Sequence, residues 1–323
     1  MGSGQDSMFN NIKIGISSCL LGERVRYDGG HKLDHYLRDT LGRFVEWVPV
    51  CPEVESGLPV PREAMRLAGD PAAPRLVSRK TGVDHMDPRL QWTKKKLAEL
   101  ENQDLSGFVF KSRSPSCGMQ GVKVYSASGA AGHKGAGFFA KAFMGRFPLL
   151  PMEDEGRLQD PGIRENFIER VFIYRQWLDL IQQGGTIGDL MTFHTEHKLQ
   201  IMSHSVKHLR ELGKMVTNTK KIERLVLFEQ YVRVLMNCLR FTSTVKKHTK
   251  VLRHVTGYFK KTLSSGEKTE LQEVMTQYHK GLVPVIVPIT LLKHYVKKYD
   301  EPYLRRQHYL NPHPLELKLR NHV

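Results

Sequence analysis

Apolar and polar residues alternate where the readable pattern of the chain begins. In Asn11-Ile12-Lys13-Ile14-Gly15-Ile16-Ser17-Ser18-Cys19 the isoleucines take every second position, the period of a strand with one buried face. That strand runs into a glycine-punctuated loop, after which Leu33, Tyr36, Leu37 and Leu41 recur at helical spacing. Phe44-Val45-Glu46-Trp47-Val48-Pro49-Val50 predicts a second strand, ending at Cys51-Pro52-Glu53. Ser56-Gly57-Leu58-Pro59-Val60-Pro61-Arg62 is too rich in proline and glycine for regular structure. Residues 88–103 predict a helix with Pro88 in its first turn. Gly107-Phe108-Val109-Phe110 reads as a short, wholly buried strand that delivers the chain into Lys111-Ser112-Arg113-Ser114-Pro115-Ser116-Cys117-Gly118-Met119-Gln120-Gly121. A glycine-rich stretch over 132–137 precedes a helix through Phe139 and Phe143, and Phe147-Pro148-Leu149-Leu150-Pro151 predicts one last strand. Strands alternating with helices predict an α/β domain with a mainly parallel, Rossmann-like sheet.

The period changes after the polar Glu153-Asp154-Glu155-Gly156-Arg157. Asp160-Pro161 supplies a capping residue and a first-turn proline, and Phe167, Val171, Tyr174, Leu178 and Ile181 follow at spacings of three and four. Further helical segments are predicted at 187–212, 218–250, 252–263, 267–281 and 288–298, with Cys238 in a core stretch. The second half therefore reads as all-α, closed by a proline-broken tail over 303–314 whose arginines and tyrosines are candidates to wrap a surface or touch RNA. Three segments result: 1–10, an expression scar and leader; 11–155, the α/β domain; and 156–323, the all-helical domain.

Charge separates these halves further. The formal net charge is +16; residues 1–156 carry 21 Lys+Arg against 18 Asp+Glu, a net of +3, and residues 157–323 carry 28 against 15, a net of +13. A basic excess confined to one half points to a polyanionic partner, and nucleic acid is the expected one. The candidate contacts are Lys198, Lys207, Lys220, Lys221, Arg224, Lys246, Lys247, Lys250 and Arg253. His194, His197, His204 and His208 stand at helical spacing, but their basic, cysteine-free setting favours nucleic-acid contact or polar packing over a metal site. No apolar run approaches the roughly 18–20 residues of a membrane span and no signal-peptide pattern appears, so the expected setting is cytoplasmic, without a membrane partner.

Four cysteines at wide, irregular spacing suit metal binding or catalysis rather than a disulfide framework. Cys19, Cys51 and Cys117 each follow a predicted strand, and the carboxyl ends of parallel strands share one edge of a sheet. Three thiols gathered there can hold an iron–sulfur cluster or a zinc ion, act as a nucleophile, or pack as separate core residues; no CxxC pair accompanies them.

The local sequences are more specific. Ile16-Ser17-Ser18-Cys19-Leu20-Leu21-Gly22, Val25-Arg26-Tyr27-Asp28-Gly29, Val50-Cys51-Pro52-Glu53-Val54, Gly57-Leu58-Pro59-Val60-Pro61-Arg62 and Ser112-Arg113-Ser114-Pro115-Ser116-Cys117-Gly118 closely resemble the thiouracil desulfidase (TudS-like) domain over roughly residues 11–155. The remainder is similar to the YbgA-like helical domain fused to larger members, and the fused arrangement resembles the bacterial tRNA 4-thiouridine desulfidases (RudS-like). The resemblance implies a [4Fe–4S] cluster on Cys19, Cys51 and Cys117, an acid/base carboxylate at Glu53 and an active-site serine at Ser114. It implies conversion of 4-thiouridine in tRNA to uridine and hydrosulfide, with an open iron acting as Lewis acid and the basic helical half binding tRNA. A desulfidase for free thiouracil or thiouridine nucleotides, or a non-catalytic iron–sulfur RNA-binding protein, uses the same residues. A thiolating enzyme fits less well, because no GxxxxGK[ST] phosphate loop is present.

Overall fold

The computed structural model describes residues 12–126, 130–219 and 222–322; the leader 1–10, Lys220 and Lys221 lie outside the described residues. The chain forms two compact units that divide between Gln159 and Asp160. In the first unit β1 (Lys13–Ser17), β2 (Glu46–Val50), β5 (Leu105–Phe110) and β8 (Met152–Asp154) build a four-stranded sheet in the order β2-β1-β5-β8. Every pairing in it is parallel. A second four-stranded sheet, not anticipated from the periodicity, has the order β4-β3-β6-β7: β3 (Met65–Ala68), β4 (Arg75–Ser78), β6 (Val122–Tyr125) and β7 (Ala131–Gly135). Its strands are four or five residues long, too short to show an alternation.

Helix α1 (Met86–Glu101) and helix α2 (Phe138–Arg146) belong to this unit. Phe108 and Phe110, on one face of β5, stack at 4.2 Å between ring centroids, and Phe143 of α2 lies 4.5 Å from Phe108. The ring of Phe108 lies across β1 because position 15 is glycine: a Cβ there would stand 2.2 Å from it. The helical spacing at 33–41 becomes a wide π-type turn, Tyr36–Thr40, followed by a 3-10 turn, Leu41–Arg43. The strand predicted at 147–151 is instead a turn, closed by Leu150 N donating to Phe147 O at 3.1 Å. Pro148 and Pro151 have no ladder donor, so pairing begins only at Met152.

The second unit is helical: α3 (Pro161–Gln182), α4 (Ile187–His204), α5 (Val206–Thr217), α6 (Arg224–Leu239), α7 (Val245–Tyr258), α8 (Ser265–His279) and α9 (Ile286–Lys298). Two predicted helices are each divided. Ser205, extended at φ −159°, ends α4 and caps α5. The segment predicted as one helix over 218–250 is broken before Thr244, which caps α7. The third predicted segment, 252–263, is the second half of α7 and its exit. The tail packs rather than standing free: Tyr309 is buried, and Arg306 pairs with Glu196 at 2.9 Å. No described helix is long and apolar enough to cross a membrane.

One buried charge binds this unit. Arg320 donates to Glu165 Oε1 at 3.1 Å, to Glu169 Oε1 at 2.8 Å and to the Tyr309 carbonyl at 2.6 Å. Burial, then the neighbouring Glu169, pushes the Glu165 carboxyl up to about 8. Removing the cation leaves the buried Glu169 carboxylate with only the His204 ring paired to it among the described residues, at 3.3 Å. Arg320→Met is therefore expected to cost about 3–5 kcal/mol, read as a lower denaturant midpoint of the helical unit; a change under about 0.5 kcal/mol would show the network to be incidental.

Candidate functional site

Three strand ends stand level at the carboxyl edge of the parallel sheet, with Ser17 opposite Val50 and Ile16 opposite Val109. Each leads to a cysteine. β1 passes into a single 3-10 turn, Ser18–Leu21, that buries Cys19; Cys51 follows β2 directly; the serine loop after β5 leads to Cys117, which is also buried. All three are free thiols, and they line one cavity of about 990 Å³ together with Glu53 and Ser114.

Helix α2 fixes the serine loop. The first amides of a helix have no partner within it. Here Phe138 N donates to Pro115 O at 3.2 Å, and Phe139 N and Ala140 N donate to Ser116 O at 3.1 and 3.2 Å. Gly137 N donates to Gly118 O at 2.8 Å. This docking requires glycine: a Cβ at position 137 would lie 2.5 Å from the Ser116 carbonyl carbon and oxygen. From the sheet side, the Ser17 hydroxyl accepts the Lys111 amide at 2.9 Å.

Glu53 is held at both carboxylate oxygens. Arg62, with its side chain almost wholly buried, donates Nε to Oε2 at 3.0 Å and also pairs with it through Nη2. The Ser116 hydroxyl donates to Oε1 at 2.7 Å. Ser114 is not the serine on Glu53: its oxygen accepts the Ser116 and Cys117 amides at 3.2 and 3.1 Å, closing the turn. Sequence reasoning gave no role to Arg62 or Ser116. Their signals were present, in the Pro-Val-Pro-Arg run and the Ser-x-Ser-x-Ser spacing, but neither states which serine reaches the carboxylate. Glu55 is bound elsewhere, accepting the Cys51 amide at 2.7 Å and pairing with Lys96 at 2.9 Å.

The thiols feel one another. Burial pushes Cys19 up to about 12, with Cys51 adding to the rise and Lys111 and Arg26 opposing it. Burial also raises Cys51, and it raises Cys117 well above the ordinary thiol range despite a hydrogen bond with Ser17. A nucleophilic cysteine needs a depressed pKa, so the free-nucleophile reading is disfavoured. Metal ligation displaces the proton instead. Among the described residues, the group of three ligand-type side chains converging within 4.8 Å is Glu165, Glu169 and His313, not these thiols. A lone tetrahedral zinc needs sulfurs about 4 Å apart for bonds of about 2.3 Å. Three thiols lining one large cavity, with Lys111 and Arg26 acting on Cys19, are donors of the type that an anionic iron–sulfur cluster takes.

The nucleic-acid candidates fall into two groups. Lys198, Lys207, Lys246, Lys250 and Arg253 are exposed and make no ion pair among the described residues. Arg224 donates to the carbonyls of Gly184 and Gly185, at 3.2 and 2.9 Å, and Lys247 to that of Thr242 at 2.7 Å, so these two brace the fold. The histidines pack internally: His194 against the Tyr231 hydroxyl at 3.1 Å, His197 between Phe193 O and Gln176, and His204 against Phe241 O at 2.6 Å. His208 meets the Ser205 hydroxyl at 2.8 Å.

A parallel sheet with three cysteines and a braced carboxylate at its carboxyl edge is an α/β unit with the donors to hold a metal group, and comparison with known proteins narrows the class. Residues 14–155 match the family model described as 2-thiouracil desulfurase, and residues 198–314 match a family of unknown function, DUF1722. The chain is 30% identical over 153 residues to the uncharacterized protein YbgA of Escherichia coli (strain K12), covering 47% of this chain and 90% of YbgA. It is 30% identical over 108 residues to the uncharacterized protein YbbK of Bacillus subtilis (strain 168), covering 32% of this chain and 71% of YbbK. A solved structure of a [4Fe-4S]-dependent thiouracil desulfidase, TudS, shares 31% identity over 46% of this chain and 93% of that chain, with a TM-score of 0.37. The chain belongs to the 2-thiouracil desulfurase family, and a YbgA-like helical unit follows that domain in the sequence.

The glycine contact makes a checkable prediction. Gly137→Ala is expected to destabilise the α/β unit by about 1–3 kcal/mol and to lower the iron retained on anaerobic reconstitution. Gly145→Ala, on the same helix with nothing within 4 Å of the new methyl, is expected to be neutral or to stabilise by up to about 1 kcal/mol. Equal behaviour of the two variants in thermal unfolding and iron analysis would remove the role given to the Gly137 contact.

Proposed function

We propose that the protein is an iron–sulfur desulfidase that removes sulfur from 4-thiouridine in tRNA, releasing uridine and hydrosulfide. The observation that carries this reading is the convergence of Cys19, Cys51, Cys117 and Glu53 on one cavity in a member of the 2-thiouracil desulfurase family. A [4Fe–4S] cluster held by the three cysteines would supply an iron with an open position, a Lewis acid for the thiocarbonyl sulfur.

The chain's own residues supply the rest. Arg62 and Ser116 fix the Glu53 carboxylate in a single orientation on the cavity wall. So placed, Glu53 takes a proton from the attacking water and returns it to the departing sulfur. Water oxygen replaces sulfur on the pyrimidine carbon, and no electron is gained or lost. The Ser114 oxygen already accepts two backbone amides, so what it presents to the cavity is its hydroxyl hydrogen, a donor that orients the base. The exposed cations of the helical unit hold the tRNA. Turning the thiolated base out of the folded RNA costs a few kcal/mol, which binding along the RNA backbone offsets.

Anaerobically purified protein should be brown, with about four irons per chain. On incubation with tRNA containing 4-thiouridine, the near-ultraviolet absorbance of the thiolated base should fall as sulfide appears. Iron-free protein that desulfurises equally well would end the cluster reading. Glu53→Gln should keep its iron and lose about 10²–10⁴-fold in turnover; full activity would remove its assigned role. Faster turnover of free thiouracil than of thio-tRNA would favour the small-molecule reading, and RNA binding with no sulfide released would favour the non-catalytic one.

A further inference from the structure

The cavity is far more basic than the unit that contains it. Residues 1–156 carry a net charge of only +3, yet the cavity lining holds eight cationic side chains against two carboxylates, Glu53 and Asp154. Several of these cations are engaged: Arg62 with Glu53, Lys111 with Glu155, Arg26 with Asp28. Lys32, Arg79, Arg113 and Lys134 are different. All four are exposed, and their side chains have no hydrogen bond or ion pair among the described residues.

They also come from four separate segments: the loop after β1, the turn after β4, the serine loop and β7. A solvated charge run comes from neighbouring positions; cations brought from distant positions to one opening concentrate a field there. Arg113 takes part from a left-handed backbone, φ 58°, a conformation that non-glycine residues adopt at a cost and that gathers at ligand sites. A free thiolated base is neutral and has no need of four cations. The charge of a thiolate-held cluster is already faced by Lys111 and Arg26, which act on Cys19. Phosphate groups are what the remaining four suit.

An aromatic completes the surface. Tyr27 lines the same cavity and is 42% exposed, with the Arg26 guanidinium 5.4 Å from its ring centroid. An exposed ring beside a row of cations is the combination that takes single-stranded nucleic acid, stacking a base while holding the backbone. We propose that the mouth of this cavity is itself a binding site for single-stranded RNA, in which Tyr27 stacks on a base and Lys32, Arg79, Arg113 and Lys134 hold the phosphates flanking the nucleotide inside. The proposal rests on the desulfidase reading for the identity of that nucleotide. The α/β unit then grips the RNA strand as well as acting on one base, in addition to any contact made by the helical unit.

The test uses the full-length, cluster-loaded protein and the double variant Arg79→Glu/Lys134→Glu, with Tyr27→Ala as a second variant that leaves the charge unchanged. Turnover is compared on 4-thiouridine, its 5′-monophosphate and a short single-stranded oligonucleotide containing 4-thiouridine; fluorescence anisotropy follows binding of a labelled oligouridylate across a salt series. The double variant should lose at least about tenfold more kcat/KM on the oligonucleotide than on the nucleoside, and its log–log salt slope should fall by about one to two. Tyr27→Ala should weaken oligouridylate binding about tenfold with the slope retained. Unchanged slope and affinity in correctly folded variants would overturn the proposal. A loss on the monophosphate equal to that on the oligonucleotide would also overturn it, assigning the cations to one nucleotide phosphate. If the unmodified protein turns over none of the three substrates, the desulfidase reading fails, and the anisotropy series still decides for or against an RNA-binding mouth.

Discussion

The arrangement of the α/β unit depends on how one helix begins. The first amides of α2 have no partner within the helix, and they are satisfied by the carbonyls of Pro115 and Ser116 in the loop that carries Cys117. The contact is backbone to backbone, so it tolerates no side chain at Gly137. Because the loop is held through its peptide groups, its side chains remain available. Cys117 turns into the cavity lining, Ser114 closes the turn, and Ser116 reaches back to Glu53. The aromatic packing of Phe143 on Phe108 ties that same helix to the central strand, so the loop inherits the rigidity of the sheet.

Charge is handled differently in the two units. In the helical unit the deepest charges are closed on themselves: Arg320 bridges Glu165 and Glu169, and the described histidines of α4 find internal partners. Such a network is weak as a source of stability but costly to break. Around the cavity of the α/β unit Arg62–Glu53, Lys111–Glu155, Arg26–Asp28 and Arg157–Glu153 are paired, while Lys32, Arg79, Arg113 and Lys134 have no counter-ion among the described residues. Paired charges hold geometry, and unpaired ones are left to attract a ligand.

The main sheet was legible in the sequence because its strands are buried and end abruptly. Ile12, Ile14 and Ile16 alternate, Gly107–Phe110 is apolar throughout, and each run stops at a turn that carries a cysteine. The second sheet was not legible, since four-residue strands such as Val122–Tyr125 show too few alternations to register. The breaks within the helical half were missed for a related reason: Ser205 and Thr244 are polar residues in a continuing apolar rhythm, and only capping geometry reveals them as ends. In the site, residue types were readable but partnerships were not. Ser112, Ser114 and Ser116 share one spacing, and which of them donates to Glu53 is set by the turn that the Ser114 oxygen closes.

The buried thiols show why the cations near them matter in two different states. With protons on, Cys19, Cys51 and Cys117 are neutral groups suited to a desolvated wall, and burial raises all three pKa values. Lys111 and Arg26 oppose that rise at Cys19 without reversing it. Lys111 is balanced meanwhile by Glu155, and Arg26 by Asp28. A metal group held by these cysteines would displace the thiol protons and leave negative charge on sulfurs that burial has largely desolvated. The same two cations would then face that charge. A site built for a reactive thiolate would need the positive charge to prevail before any ligand arrived. Here burial prevails over it at Cys19, so the surroundings alone do not make this sulfur a thiolate.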